Sequence, residues 1–161
     1  MASLQPIAKN KNLILESRVD IDVLVQADKD KVEQALNNLL GNSLKFTDSG
    51  SIIITSKKDG DVIKIYVTDT VMGVSQKGQQ MLFGKFQQIS SQQEGKPAGT
   101  GLGLYISREM IRKMGGDLWI EKSDLGMGSV FALSIPISKS LLANSVQKTI
   151  EAELVNHPDQ K

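Results

Sequence analysis

The run GSIIITSKKDGDVIKIYVTD, Gly50 to Asp69, leaves little choice of local structure. Apolar residues alternate on both sides of Asp59–Gly60, and an Asp-Gly pair between two alternating runs is the strongest short-range sign of a β-hairpin. A lone hairpin is at best marginal in water, so its apolar face must be covered by further strands or helices. The rest of the chain supplies them. Asn12 to Val19 (NLILESRV) alternates like a half-buried strand, and DVLVQ reads as a short second one. Asp28 or Asp30 can cap a helix to about Lys45, with Val32, Ala35, Leu36, Leu39, Leu40 and Leu44 at helical spacing. TGLGLYISREMIRKMG opens a second helix on glycines and closes it at Gly115–Gly116. DLWIEKSDLGMGSVFALSIPI is then a second hairpin, turning around Leu125 to Gly128. Runs of strands separated by single helices give an α/β sandwich with one largely antiparallel sheet.

Two segments do not fit this rhythm. From Val74 to Ala98 the chain is rich in Gln, Ser, Gly and Lys, with an island of Met81, Leu82, Phe83 and Phe86. A loop of that length inside a compact domain is usually functional or disordered. Beyond Pro136, Leu142, Val146, Ile150 and Leu154 form one stripe before the polar ending NHPDQK. This divides the chain into a domain over 1–137 and an amphipathic tail over 138–161, a candidate linker to a further domain.

Composition narrows the functional classes. A chain of 161 residues with 19 basic and 18 acidic side chains carries a net charge of +1. Such a balance gives no footing for generic nucleic-acid or acidic-lipid binding. Without cysteine there are no disulfides or zinc–thiolate sites. No apolar run approaches the roughly 20 residues needed to span a bilayer. The N-terminus MASLQPIAKNKN lacks the apolar region of a signal peptide. The expected location is cytoplasmic, without membrane contact by this stretch, and the isolated domain is expected to be monomeric. Membrane anchoring of the parent protein is left open.

Chemistry concentrates at three places. In NNLLGNSLKFT, Asn38, Asn42 and Lys45 follow i, i+4, i+7 spacing and share a helical face. Asn is a poor helix former. Its carbonyl oxygen suits a hard cation such as Mg²⁺, and a lysine one turn on suits a phosphate. A solvated face of an amphipathic helix fits the same pattern equally well. In GTGLGL, Gly99 to Leu104, glycines precede a helix whose first N–H groups lack internal partners, which makes an anion site. A dinucleotide fingerprint is the rival reading, with Glu121 as its acidic residue. Against it, the loop follows no strand, Leu104 stands where the third glycine belongs, and only one βαβ unit can be assembled. The third place is Asp69, a carboxylate at the end of an apolar strand, where burial is costly unless a partner meets it.

Taken together, NNLLGNSLKFT, DTVMGV, LFGKF and GTGLGL resemble, in this order, the N, first glycine, F and second glycine boxes of sensor histidine kinases. More broadly they are similar to the GHKL ATP-binding fold shared with Hsp90, MutL and type II topoisomerases. SREMIRKMGGDLWIEKSDLGMGSVFALSIP resembles the stretch after the last box in histidine kinases. The likeness covers about Ala8 to Ile137. It implies a Bergerat fold, with a mixed, mostly antiparallel sheet of about five strands, three backing helices and a mobile ATP lid over 74–98. It also implies that Asp69 accepts a hydrogen bond from the adenine amine, Asn42 coordinates Mg²⁺, Asn38 assists and Lys45 contacts the phosphates. Gly99, Gly101 and Gly103, with Thr100, Leu102 and Leu104 between and after them, shape the loop over the phosphates. Gly73 matches the second glycine of its box. Phe83 and Phe86 anchor the lid, with plain core packing an equal alternative for Phe83.

The implied activity is a protein-histidine kinase of two-component phosphorelay signalling. It uses ATP and Mg²⁺ to phosphorylate a histidine on a separate dimerisation domain of the parent kinase, with a response regulator as indirect partner. His157, the only histidine, lies in the polar tail and lacks the acceptor-box pattern, so the fragment alone is not expected to phosphorylate itself. Two positions depart from the family. Val71 replaces the usual first glycine of DTGIG, either straining the backbone or packing against the base, and Gln88 stands where relatives often carry an arginine. Val71 motivates one alternative, a degenerate interaction module with impaired ATP binding. A different GHKL ATPase or serine kinase is another.

Overall fold

The computed structural model describes residues 3–70, 73–87 and 100–138. Its elements in chain order are α1 (Gln5–Asn10), β1 (Ile14–Arg18), α2 (Lys29–Phe46), β2 (Ser51–Asp59) and β3 (Val62–Asp69). They continue with α3 (Gln76–Met81), α4 (Gly103–Lys113), β4 (Asp117–Asp124) and β5 (Gly128–Pro136). The five strands form one sheet in the order β1-β2-β3-β5-β4. Only β1 and β2 are parallel; the other three pairs are antiparallel. This is the expected mixed, mostly antiparallel sheet.

One sheet face builds the core. Ile52, Ile54, Ile63, Val67, Leu118, Leu133 and Ile135 are buried with Ala35, Leu39, Leu40 and Leu44 of α2 and Ile111 of α4. Alternation on the strands and i, i+4 spacing on the helices direct these residues to the same layer. The β2–β3 hairpin turns at Gly60, with Asp59 opposite Val62. The β4–β5 hairpin closes with Asp124 opposite Gly128 and the Met127 N–H on the Asp124 carbonyl at 3.0 Å.

Helix α2 is finished at both ends by side chains. The Asp28 carboxylate accepts from the N–H groups of Asp30 (3.0 Å) and Lys31 (3.1 Å), a cap whose loss costs about 1 kcal/mol. At the other end Lys11, just past α1, donates to the carbonyls of Leu44 (2.6 Å) and Thr47 (2.8 Å). A lysine there satisfies acceptors that the helix cannot and suits the negative end of its dipole.

The structure departs from the sequence reading at three places. DVLVQ is not a strand: it makes one bridge, Val25 to Ile137, beside a bond from the Ser138 N–H to the Leu24 carbonyl at 3.0 Å. It meets the sheet only where β5 has ended, so it has no length of partner to pair with. The two short helices α1 and α3 carry no apolar stripe long enough to be read. α3 also lies within the stretch over 74–98, which is therefore not wholly loop. The tail stripe of Leu142, Val146, Ile150 and Leu154, and His157, lie outside the described residues. No helix among the described residues is long and apolar enough to cross a membrane.

Candidate functional site

Asp69 ends the central strand β3 on the helix side of the sheet, opposite Ser129 of β5. Its two carboxylate oxygens are met from different elements. Oδ1 accepts the Ser129 N–H at 3.0 Å and Oδ2 accepts the Ser43 hydroxyl of α2 at 3.2 Å. These two bonds, reaching the carboxylate from different elements, orient the group. These bonds help to offset the desolvation that makes a strand-end carboxylate costly.

The same helix carries the asparagines. Asn38 Nδ2 donates to Ser107 Oγ of α4 at 3.0 Å, and Ser107 is buried. Gly103 lies against that amide: a Cβ there would stand 2.6 Å from Asn38 Oδ1. The glycine thus lets α2 and the start of α4 close on each other, a packing role that its place in a phosphate-type loop does not reveal. Asn42 is half-buried one turn on. Lys45 shares the face, and its Nζ lies 5.0 Å from the Phe46 ring centroid. Lys45 also lines a surface depression of about 410 Å³ with Leu4, Ile7 and Lys11 from the α1 side. That depression is apart from Asp69, as is one of about 650 Å³ along α1 and β1.

Helix α4 begins at Leu102 with no side-chain cap; the Leu102 N–H reaches Thr100 Oγ1 only at 3.4 Å. Among the described residues no side chain caps its first N–H groups, which lack partners within the helix. Leu104 packs against the core beside them. Gly101, at φ +68°, lies against the backbone of Phe86 and Gln87. The F-box and the second glycine loop thus meet directly. Phe83 packs on the core and stacks with Arg108, whose guanidinium carbon is 4.9 Å from the ring centroid. Phe86 is 72% exposed with φ +57°, whereas Phe83 has the core packing that is its alternative to a lid role. Val71, Gln88 and Gly99 lie outside the described residues, as do residues 88–98 of the lid.

The β4–β5 hairpin tip supplies a wall that the sequence did not disclose. Val74 N–H donates to Ser123 Oγ at 2.7 Å, and Gln79 Nε2 donates to the carbonyls of Val74 and Ser123, both at 2.8 Å. Gly73 is pressed onto the same tip: at φ +64°, a Cβ on it would collide with the Asp124 carbonyl. Serines and a glutamine in polar surroundings carry no pattern of their own, so Ser43, Ser107, Ser123 and Gln79 were not legible in advance. The dinucleotide reading fails on geometry. β4 is antiparallel to its neighbour, and Glu121 sits at a register shift with Trp119 Nε1 donating to it at 2.6 Å.

Among the described residues no group of three or more His, Cys, Asp or Glu side chains could hold a metal ion. A half-buried asparagine carbonyl still fits Mg²⁺ in the form that ion takes with nucleotides. There it draws its oxygens mainly from phosphates and water and needs few from the protein.

Residues 27–139 match the family described as histidine kinase-, DNA gyrase B-, and HSP90-like ATPase. A hybrid signal transduction histidine kinase B of Dictyostelium discoideum is 40% identical over 144 residues, covering 83% of this chain and 7% of that protein. Sensor histidine kinase RcsC of Escherichia coli K12 is 37% identical over 138 residues, covering 84% of this chain and 14% of that one. Among solved structures, full-length ShkA in complex with AMPPNP superposes with a TM-score of 0.75 at 29% identity, covering 85% of this chain and 28% of that one. The chain therefore spans a small part of the curated relatives' length.

Proposed function

The chain belongs to the histidine kinase-, DNA gyrase B-, and HSP90-like ATPase family, as a catalytic domain of the sensor-kinase type, and from that premise we propose that it binds ATP with Mg²⁺ and presents the γ-phosphate to a histidine on a separate dimerisation domain. The observation that carries this reading is the Asp69 carboxylate, held by Ser43 and Ser129 at the end of the central strand. An oriented acceptor there selects adenine, whose exocyclic amine donates, over guanine, which offers an oxygen at that position. Asn42 gives its carbonyl to the metal with Asn38 assisting from one turn earlier, and Lys45 swings from the Phe46 ring to the phosphate chain. The start of α4 and the loop of Gly99, Thr100, Gly101, Leu102, Gly103 and Leu104 receive phosphate oxygens, while Gly73 and Phe86 complete the ATP site, Phe86 as an anchor of the lid.

Mg²⁺ neutralises charge developing on the phosphates. Phosphoryl transfer depends on positioning and electrostatics more than on covalent help from the protein. A domain that only binds and orients the nucleotide can therefore serve an acceptor held elsewhere. Membership of a family of ATPases, with sensor kinases as relatives, supports this activity over the degenerate alternative based on Val71. A response regulator is then the indirect partner.

The test is incubation with γ-labelled ATP and Mg²⁺, with and without the histidine-bearing dimerisation domain of a parent kinase. The chain alone should acquire no phosphohistidine, and addition of the acceptor domain should give transfer to the acceptor's histidine. Label on His157, or no transfer from a chain that demonstrably binds ATP, would overturn the proposal.

A further inference from the structure

Ser123 stands at the junction of three segments that would otherwise be independent. It is buried near the end of β4, and its hydroxyl accepts the Val74 N–H at 2.7 Å. The same oxygen lies 3.1 Å from the Gly128 carbonyl and 2.9 Å from Ser129 Oγ. With its one proton on the Gly128 carbonyl, it accepts from both the Val74 N–H and the Ser129 hydroxyl, and all three bonds are made at once. The next peptide N–H along, that of Ser129, is the one that holds Asp69 Oδ1 at 3.0 Å. On the other side Gln79 of α3 clips the Val74 and Ser123 carbonyls together at 2.8 Å each.

We propose that Ser123 is a positioning residue of the nucleotide site, whose hydroxyl ties the Gly73–Val74 turn and α3 to the Ser129 backbone that orients Asp69. The inference rests on the reading of Asp69 as the adenine acceptor. The chain of contacts is short and continuous. Asp69 is held by Ser129, Ser129 and Gly128 by Ser123, and Ser123 holds Val74, from which α3 starts one residue beyond its Ser75 cap. The two serines at the middle of this series are buried and the Asp69 and Val74 ends are half-buried, so each end constrains the other. Base binding and the setting of α3, which lies at the start of the 74–98 stretch, are thereby coupled through one hydroxyl.

The chain of 161 residues is compared with Ser123→Ala and Ser123→Thr, the second keeping a hydroxyl at a strand position that suits a β-branched residue. One arm needs no nucleotide. Amide exchange in Ser123→Ala should quicken at Val74, across α3 and at Ser129, and Ser123→Thr should restore it. Exchange at Ser129 that stays at the wild-type rate in Ser123→Ala overturns the coupling, whether or not the chain binds ATP. The second arm is titration with ATP and with GTP. Loss of one well-made hydrogen bond weakens ATP binding about three- to tenfold, and a loosened Asp69 should narrow the ratio between ATP and GTP. A purely structural role would leave that ratio unchanged. A wild-type chain that binds neither nucleotide would refute the reading of Asp69 while the exchange arm still decides the linkage. A Ser123→Ala chain with wild-type affinity and wild-type base preference would overturn the role of Ser123 alone.

Discussion

A side chain of any size at Gly73 would run into the carbonyl of Asp124, and the backbone there holds φ at +64°. Both demands fall on one residue because Gly73 itself is pressed against the β4–β5 hairpin. Gly73→Ala should therefore destabilise the chain by about 1–3 kcal/mol or more, read by urea denaturation. A change within about 0.5 kcal/mol would mean that the turn relaxes freely. Gly103 presents a different case, since its neighbour is the end of the Asn38 side chain and not backbone. Gly103→Ala should cost less stability, and it should break the 3.0 Å bond between Asn38 and Ser107. Asn42 is proposed to hold the metal, so Asn42→Ala should remove the gain in ATP affinity that Mg²⁺ confers while leaving the melting temperature close to wild type. Retained magnesium dependence in that variant would remove Asn42 from its role.

Helix α4 is fixed to the sheet mainly at its far end. The Asp117 carboxylate, at the start of β4, accepts from Arg108 Nε (2.9 Å) and Nη2 (3.2 Å) and from Arg112 Nε (2.9 Å). The Arg108 guanidinium, with Arg112 and the Leu118 N–H adding to it, holds the Asp117 carboxyl far below the usual carboxylate range despite partial burial. A lowered folded-state value means that the clamp contributes fully above the unfolded value near 4 and is lost as pH falls toward the folded value. Asp117 is 38% exposed, so screening keeps this contribution to about 1 kcal/mol. Asp117→Asn should lower stability by that amount at pH 7, with the deficit shrinking below pH 4; a constant deficit down to pH 2 would contradict the assignment. Arg108 also stacks on Phe83, so the same variant should loosen the F-box segment. At this scale the sequence was readable where periodicity ran long. Helix α2 and both hairpins have many repeats of their period, and tertiary packing reinforces each. α1 and α3 have six residues each and are held by contacts from elsewhere, Lys11 on the end of α2 and Gln79 on the hairpin tip. Local pattern carries no trace of such contacts.

Across the whole molecule the site is a meeting of distant segments. Asn38 and Ser107 are 69 residues apart in the chain, and Asp69 and Ser129 are 60 apart. The sequence named Asn38, Asn42, Asp69, Gly73 and the second glycine loop because each stands in a recognisable box, and the fold sets Asn38 of α2 against Gly103 of α4 and Asp69 of β3 against Ser43 of α2. The serines and the glutamine that hold the boxes in place were beyond its reach, since a hydroxyl becomes specific only through the partner that folding gives it. Phe86 and Phe83 were named from the same box, and the fold exposes the first and packs the second on the core. The central claim is that this convergence reads adenine through Asp69, and calorimetric titration of ATP with Mg²⁺ into the wild-type chain and into Asp69→Asn tests it most directly. In the variant the amide oxygen can keep the Ser129 N–H and the amide nitrogen can face the Ser43 hydroxyl, so the fold should survive with little change in melting temperature. Hydrogen bonds to charged groups contribute roughly 1.5–3 kcal/mol, so the account predicts measurable binding by wild type and an affinity about ten- to hundredfold weaker in the variant. Equal affinity in the two chains, or no binding by wild type up to millimolar ATP, would contradict it.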